Sequence, residues 1–180
     1  MAPSDIVLST ARLRLRPFTP EDASFVVALL NSPGWLRYIG DRHVHTDAEA
    51  RDWLALRIIS HYAARGYGFW AVEPLQGGAC MGLCGLIWRE GLDAPDLGYA
   101  LLPAHEGQGY AREAAAACLR HGHSVLNMPR ILAITDPHNA RSAQVLLDIG
   151  LQETGTVRLP GGTEDLRLFA SLQTTPAILT

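Results

Sequence analysis

The chain contains no lysine: all 15 of its basic residues are arginine. A Walker-A phosphate loop and Schiff-base catalysis both require a lysine amine, so the sequence excludes both. Charge is also sparse, since charged residues make up 18% of the chain and the net charge is only -3. This balance gives no indication of a surface for nucleic acid. We therefore expect no nucleic-acid partner.

Long apolar runs are absent as well. No uninterrupted stretch is long enough to span a bilayer. The first residues, MAPSDIVLSTARLRLRP, lack the continuous apolar centre of a signal peptide. We therefore expect no membrane partner and a cytoplasmic location.

Cysteine is scarce, and its spacing argues against both disulfides and metal. The three cysteines, Cys80, Cys84 and Cys118, include no CxxC pair, so we expect reduced thiols within the core. Two pairs of histidines stand two residues apart, His43/His45 and His121/His123. No further cysteine or carboxylate set completes a zinc pattern, so we expect no metal site.

The chain does have enough length and apolar content for a substantial core. With 180 residues and 48% hydrophobic content, it suits one domain over residues 1–180, with a core of about 10–171 and a short tail over 172–180. The residue patterns run strand, two helices, three strands, helix, strand, helix, two strands. This order predicts a mixed α/β domain.

Local signals predict where several elements begin and end. TARLRLRPF alternates Arg and Leu, which predicts a strand with Leu13 and Leu15 inward and a solvated arginine face. The capping box Thr46-Asp47-Ala48-Glu49 predicts the start of a helix that ends at Gly66. The break at Asn31-Ser32-Pro33-Gly34 ends the helix before it.

The segment DLGYALLPAHEGQGYAREA carries the clearest functional signal. It predicts a strand, a loop with proline, two glycines and a helix, so the amides from about Gly107 to Arg112 would be unpaired donors at a helix N-terminus. Arg112 is unfavourable against the helix dipole unless an anion is bound there. A dinucleotide-binding fingerprint would need glycine at this position and an acid about 20 residues later, and both are missing. The segment therefore predicts a phosphate ligand of another kind.

Together with the later segment DPHNARSAQVLLDIGL, the string GYALLPAHEGQGYAREA resembles the GNAT acyl-CoA N-acyltransferases. The likeness runs from TARLRLRPF to DLRLFA, and it is closer to the branch that acetylates protein N-termini, especially ribosomal ones. It implies a mostly antiparallel central sheet with a splayed strand pair and flanking helices. It also implies acetyl-CoA as the cosubstrate and an amine as the acceptor.

The resemblance assigns cofactor-binding residues by their positions. The glycine loop would wrap the pyrophosphate of acetyl-CoA with backbone amides, and the strand before it would pair with the pantetheine arm. The implied loop residues are Gly107, Gln108, Gly109, Tyr110, Ala111 and Arg112, and the implied strand residues are Ala100, Leu101 and Leu102. Asn139 matches a family residue that contacts the cofactor arm.

The reaction needs a proton acceptor, because only a neutral amine attacks a thioester. Asp96 lies four residues before Ala100 on the same predicted strand, so the two share a face. It also matches the position at which several family members carry a catalytic glutamate. We expect Asp96 to be this base at a solvent-wetted cleft, and a plain solvated carboxylate at a strand start is the alternative. Glu90 and Glu106 are the other candidates.

The leaving group has its own candidate residue. The tyrosine with which many family members protonate the departing thiolate falls at Leu146 in this chain. A thiol pKa of about 8.5 makes the thiolate a tolerable leaving group without an acid. By resemblance to the same branch, the Ser142 hydroxyl would donate a hydrogen bond to the sulfur. An ordinary hydroxyl in the first turn of a helix is the alternative.

The predicted function is transfer of an acetyl group from acetyl-CoA to a primary amine, for which a protein N-terminal α-amine is suitable. Such an amine has a reference pKa of about 7.7–8.0, against about 10.4 for lysine, so it is more readily neutral. The alternatives are a non-catalytic acyl-CoA-binding module and an N-acyltransferase for a longer acyl group or a small-molecule amine. We expect a monomer or homodimer. Four aromatic residues are expected to pack in the core rather than to line an acceptor cleft: Trp35, Tyr38, Trp88 and Tyr99.

Overall fold

The computed structural model describes residues 6–172, and residues 173–180 of the predicted tail lie outside it. Within the described residues, eight strands form one sheet in the order β1-β2-β3-β4-β5-β6-β8-β7. The strands are β1 (Leu8–Ser9), β2 (Leu13–Arg16), β3 (Phe69–Pro74), β4 (Gly82–Ile87), β5 (Asp96–Leu101), β6 (Arg130–Thr135), β7 (Gln152–Val157) and β8 (Leu166–Leu172). The short β1 was not predicted.

Neighbouring strands pair antiparallel except β5 and β6, which run parallel. The helices are α1 (Ala23–Leu30), α2 (Pro33–Tyr38), α3 (Asp47–Trp53), α4 (Ser60–Arg65), α5 (Tyr110–Ser124) and α6 (Ala140–Asp148). The structure therefore confirms the mixed α/β fold with a mostly antiparallel sheet. Helix α2 is an addition, since it begins at Pro33 inside the segment predicted as a break.

Hydrophobic layers cover both faces of the sheet. One face buries Leu13 and Leu15 together with residues of α5 and α6, which confirms the predicted orientation of β2. The other face packs against α1 to α4. Helix α5 lies so close to the sheet that a Cβ added at Gly122 would stand 2.5 Å from Ile131 Cδ1. The small residues of α5 thus bring its N-terminus close to the strands.

The sequence predicts that the arginine face of β2 is solvated, but the structure shows arginines of this face paired with carboxylates. Arg14 Nε donates to Glu73 Oε2 at 2.8 Å, and Arg16 donates to both Glu73 and Asp22. Glu73 is only 4% exposed and lies on β3, directly opposite Arg14. The prediction was wrong because strand alternation shows which residues share a face but not which carboxylate lies on the neighbouring strand.

The second predicted helix is interrupted in its middle. The capping box at Thr46 is present, and Gly66 ends α4 with a φ of 76°, both as predicted. Between α3 and α4, residues Leu54–Ile59 form a π-helical turn, in which the Ser60 N–H reaches the Ala55 carbonyl five residues back. Such turns are rare in proteins overall, and those that do occur are often found at functional sites.

Candidate acyl-CoA and acceptor site

Strands β5 and β6 diverge and open a cleft. They share one paired position, Asp96 with Leu132. Beyond it, β5 stays with β4 while β6 continues along β8. The gap belongs to a cleft of about 1500 Å³ that extends from α2 and the π turn to the start of α5. This is the splayed strand pair that the resemblance implies.

The strand residues expected to hold the pantetheine arm differ in whether they can still bind a cofactor. Ala100 and Leu101 line the cleft. Leu102 instead donates its N–H to the Met81 carbonyl at 2.9 Å and accepts the His105 N–H at 2.9 Å. The backbone groups of Leu102 therefore already have partners, and the stretch available to a cofactor arm ends at Leu101.

The glycine loop presents a row of unpaired amides, as the sequence predicts. Gly107 and Gly109 have φ values of 72° and 81°, in the left-handed region that glycine adopts without strain. Gly109 is the N-cap of α5 and offers no side chain to the helix amides. Among residues 6–172, none accepts a hydrogen bond from the N–H groups of residues 107–112. The row of amides at a helix N-terminus suits a phosphate ligand.

A salt bridge from the N-terminal strand region holds this loop. The Arg12 Nε donates to Glu113 Oε2 at 2.6 Å, and Arg12 Nη1 donates to the Gln108 carbonyl at 3.0 Å. The Arg12 guanidinium also lies 4.6 Å from the centroid of the Tyr110 ring. Thr10 adds a hydrogen bond to Glu113 at 2.6 Å. Sequence analysis missed this arrangement, because its partners lie about a hundred positions apart.

Arg112 has a partial counter-charge of its own. Its Nε lies 3.5 Å from Asp148 Oδ2, and its side chain is 61% exposed. Arg12, Arg112 and Arg120 also line a smaller depression of about 590 Å³ beside the loop. Arg112 therefore lies where the predicted pyrophosphate site meets a basic outer surface.

Asp96 lies at the point where β5 and β6 diverge, but it is not solvated as expected. The residue is 1% exposed and accepts a hydrogen bond from Arg89 Nε at 2.8 Å. Its second oxygen, Oδ1, has no hydrogen-bond partner among the described residues. Burial raises the pKa of the Asp96 carboxyl, and the Arg89 guanidinium together with the nearby Ile134 backbone N–H opposes that rise. A buried carboxylate with one unpaired oxygen and a raised pKa can accept a proton.

Ser142 and Asn139 meet at the start of α6. The Asn139 side chain accepts the Ser142 N–H at 3.1 Å and so caps the helix. The Ser142 Oγ lies 3.0 Å from the Tyr99 hydroxyl, which also donates to the Ser142 carbonyl at 2.9 Å. Burial raises the pKa of Tyr99, so this hydroxyl stays protonated. Tyr99 thus adds a second hydroxyl beside the predicted Ser142, while Leu146 is buried in the core.

The aromatic residues divide between core and cleft. Trp35 is 6% exposed and packs with α1 to α4, as expected, but its Nε1 has no partner among the described residues and it lines the cleft. Trp88 is 40% exposed, and the Arg65 guanidinium lies 4.9 Å from the centroid of its ring. The core assignment of Trp88 was therefore wrong. Glu90 and Glu106 are exposed residues that line the same cleft.

One group of metal-ligating side chains occurs in the part of the chain that the structure describes. Asp41, His43 and His45 bring one ligand atom each within 4.8 Å of one another, and all three residues are exposed. The Asp41 carboxyl already accepts the His43 N–H at 2.7 Å. The cysteines are free thiols, with Cys84 and Cys118 buried, as predicted. Of the helices in residues 6–172, none is long and apolar enough to cross a membrane.

Comparison with known proteins shows the family to which the chain belongs. The family model for the acetyltransferase (GNAT) domain matches residues 12–152, so the chain belongs to the GNAT acetyltransferase family. The uncharacterized protein YkkB of Bacillus subtilis is 31% identical over 156 residues, which cover 84% of this chain and 88% of that protein. GNAT enzymes use acetyl-CoA as cosubstrate and an amine as acceptor, so this protein is an acyltransferase.

Solved structures show the same fold. An acetyltransferase from Agrobacterium tumefaciens matches with a TM-score of 0.78 and 26% identity, covering 92% of this chain and 94% of that one. A ribosomal-protein-S5-alanine acetyltransferase from Vibrio fischeri matches with a TM-score of 0.72 and 20% identity, covering 94% and 98%. At this identity the second likeness concerns the fold alone.

Proposed function

We propose that this protein transfers the acetyl group of acetyl-CoA to a primary amine, with the pyrophosphate on the amides of residues 107–112 and the pantetheine arm between β5 and β6. The row of unpaired amides is the observation that carries the proposal. It lies at the start of α5, and the loop lines the cleft that opens between the two strands. The arm would then reach from the loop along Leu101 and Ala100 towards Asp96.

Asp96 is the proposed proton acceptor. The amine nitrogen attacks the thioester carbonyl carbon, the N–C bond forms and the C–S bond breaks. The proton of the attacking nitrogen passes to Asp96 Oδ1, directly or through one water molecule. The raised pKa of this carboxyl supports the role, because a base is most effective when its pKa approaches the working pH.

The Tyr99 and Ser142 hydroxyls are proposed to stabilise the departing sulfur. They lie 3.0 Å apart on the α6 side of the cleft, and both line it. One hydroxyl can turn its O–H towards the thiolate, while the other donates its O–H to the oxygen of the first hydroxyl. CoA then leaves as an anion and takes its proton from solvent.

A protein N-terminal α-amine is the acceptor that we propose. The open acceptor side of the cleft, formed by α2 and the π turn, supports a chain end as substrate. The Vibrio fischeri relative of the same fold acts on ribosomal protein S5 at alanine. An α-amine also has a lower pKa than a lysine amine, so more of it is already neutral and less proton removal is required of Asp96.

A thiol-release assay tests the proposed function. The protein is mixed with acetyl-CoA and, separately, with peptides that have a free N-terminus, single amino acids and polyamines. We expect CoA thiol to appear only with a competent acceptor, and that acceptor to gain the mass of one acetyl group. Tight binding of acetyl-CoA without transfer to any acceptor would instead indicate the non-catalytic acyl-CoA-binding module.

A further inference from the structure

The acceptor end of the cleft carries arginines that lack carboxylate partners. Arg42, in the loop between α2 and α3, lines the cleft together with Arg57 and Arg89. Arg89 is neutralised by Asp96 at 2.8 Å. Neither the Arg42 side chain nor the Arg57 side chain forms an ion pair or a hydrogen bond with any residue in 6–172. The Arg42 and Arg57 side chains are therefore available at this end of the cleft, beside Arg37, which lies over the Tyr38 ring and has no ion pair among the described residues.

Arg42, Arg57 and Arg89 line one cleft, and their positive charges act on one another. Arg42 reaches the protein surface, yet the cleft walls remove part of its hydration. Burial is the main cause of its lowered pKa, and the positive charges of Arg89 and Arg57 lower that pKa further. The carboxylates that also line the cleft, Glu90, Glu106 and Asp136, form no ion pair with either free arginine within the described residues. Like charges held together without compensation favour an anionic ligand.

The backbone that carries Arg57 is unusual in a way that favours a binding role. Arg57 lies in the π turn of residues 54–59, and the consecutive residues Leu56 and Arg57 line the cleft. In a regular helix, successive side chains are separated by about 100° and rarely share one surface. Leu56 and Arg57 of the π turn thus both line the cleft, while Ile58 is buried in the core beneath them.

We propose that Arg42 and Arg57 bind a carboxylate of the acceptor, so that the substrate is a primary amine that also bears a carboxylate, such as an acidic peptide with a free N-terminus. This inference rests on the proposed acetyl transfer and narrows its acceptor. Planar guanidinium groups match carboxylate geometry through paired N–H donors. A polyamine brings only positive charge to the same arginines and is repelled.

The same carboxylate could also arrive on the acyl group, as in succinyl-CoA. In the first case the acceptor amine carries the carboxylate, and in the second case the acyl donor carries it. A third role for the arginines is to lower the pKa of the acceptor amine by repulsion, which needs no carboxylate at all. The test therefore varies the charge of the acceptor and of the donor separately.

The experiment compares each acceptor as the free acid and as its carboxamide, with acetyl-CoA as donor. Wild type, Arg42→Gln, Arg57→Gln and the double variant are assayed, with Arg51→Gln as the matched control. Arg51 is an exposed arginine of α3 that does not line the cleft. We expect wild type and Arg51→Gln to favour the acid over the carboxamide by ~10-fold or more in kcat/KM, the size of a lost charge-assisted bond. In the double variant this ratio falls towards one, through a higher KM for the acceptor and an unchanged KM for acetyl-CoA.

Several outcomes would overturn the proposal. Wild type that does not distinguish acid from carboxamide, or a double variant that keeps the preference, excludes recognition of an acceptor carboxylate. A preference for succinyl-CoA over acetyl-CoA that the double variant loses assigns the arginines to the acyl group. An equal loss for acid and carboxamide, relieved at higher pH, assigns them to lowering the amine pKa. Thiol release from no acceptor at all contradicts the proposed function itself, and this proposal with it.

Discussion

At the scale of single residues, Asp96 is buried, whereas the sequence analysis expected it at a solvent-wetted cleft. A solvated carboxylate and a catalytic base look alike in the sequence, since both are an aspartate at a strand start. The structure instead buries Asp96 at the apex of the cleft, pairs one oxygen with Arg89 and leaves the other unpaired. The raised pKa that supports the proposed base thus comes from desolvation, which no local pattern encodes.

Asp96→Asn keeps the shape of the side chain and removes its proton acceptor. We expect kcat with a primary-amine acceptor to fall by ~10²-fold or more near neutral pH, the usual size of a lost general base. The deficit shrinks as the pH approaches the pKa of the acceptor amine, because neutral amine is then available without help. pH–rate profiles of both proteins measure this. Asp93→Asn is the control, since Asp93 is an exposed partner of Arg130; a profile of Asp96→Asn like that of this control would make Asp96 a spectator.

The same substitution has a defined effect on stability. The pKa of Asp96 is raised above its ordinary value of 3.8 in the folded protein. The folded state therefore binds more protons than the unfolded state, and wild type loses stability as the pH rises through that range. Relative to wild type, Asp96→Asn gains stability between pH 3.8 and the raised pKa. Urea unfolding at several pH values checks this, and a difference of the opposite sign would contradict the raised pKa.

The hydroxyl pair gives a second test at this scale. Ser142→Ala removes one neutral donor, and we expect kcat to fall by about 5-fold, since such a hydrogen bond contributes about 1 kcal/mol. Tyr99→Phe removes the other hydroxyl and should lower kcat by a similar factor. Because both hydroxyls are proposed to act on one sulfur, the double variant should lose less than the product of the single effects. Independent effects, or an unchanged kcat under chemistry-limited conditions, would assign both hydroxyls to packing.

At the scale of elements, the salt bridge of Arg12 to Glu113 couples the start of β2 to the start of α5. Burial acts to raise the pKa of Glu113, but the hydrogen bonds from Thr10 and Arg12 outweigh it and hold that pKa below its ordinary value of 4.5. The ionised carboxylate therefore stabilises the fold above pH 4.5, and this contribution is lost as the pH falls through the lowered pKa.

Glu113→Gln should lower the free energy of unfolding at pH 7 by about 1 kcal/mol, a value reduced for the partial exposure of the pair. The difference from wild type should vanish in acid. Glu153→Gln is the control, because Glu153 pairs with Arg167 away from the loop. Only Glu113→Gln is expected to weaken acetyl-CoA binding, since only it loosens the glycine loop. Equal acetyl-CoA affinity in both variants would show that the salt bridge does not order the loop.

Elements with a periodic pattern or a cap could be predicted from the sequence. The alternation of β2, the capping box at Thr46 and the glycine that ends α4 all lie where the pattern places them. The glycine loop at the start of α5 was predictable for the same reason, since its signals are local. The Arg14–Glu73 pair and the Tyr99–Ser142 pair were not, because each depends on partners brought together by the fold, and no cap or periodic pattern marks the π turn.

At the scale of the whole molecule, we assign acetyl-CoA binding and acceptor binding to two different parts of the cleft. The glycine loop and the splayed strands lie at the end that we assign to acetyl-CoA, while α2, the following loop and the π turn form the acceptor side. The first region is built from backbone groups, which the fold itself supplies. The second is built from arginines and aromatics, so acceptor choice can change without change of fold.

Acetyl-CoA is proposed to bind with its pyrophosphate on the amides of the glycine loop. Gly107 and Gly161 provide a matched pair, with φ values of 72° and 74° and no atom within 4 Å of an added Cβ at either position. Aspartate tolerates this backbone region, so Gly107→Asp and Gly161→Asp should cost similar stability, which thermal unfolding compares.

Titration calorimetry with acetyl-CoA then tests the claim most directly. At Gly107 the new carboxylate would face the pyrophosphate, and a like charge several ångströms away opposes binding by roughly 2–3 kcal/mol at an effective dielectric constant near 20. We expect Gly107→Asp to bind acetyl-CoA at least ~10-fold more weakly than wild type. Gly161→Asp should bind it as wild type does. Wild-type affinity in Gly107→Asp, or the same loss in both variants, would contradict the placement of acetyl-CoA on this loop.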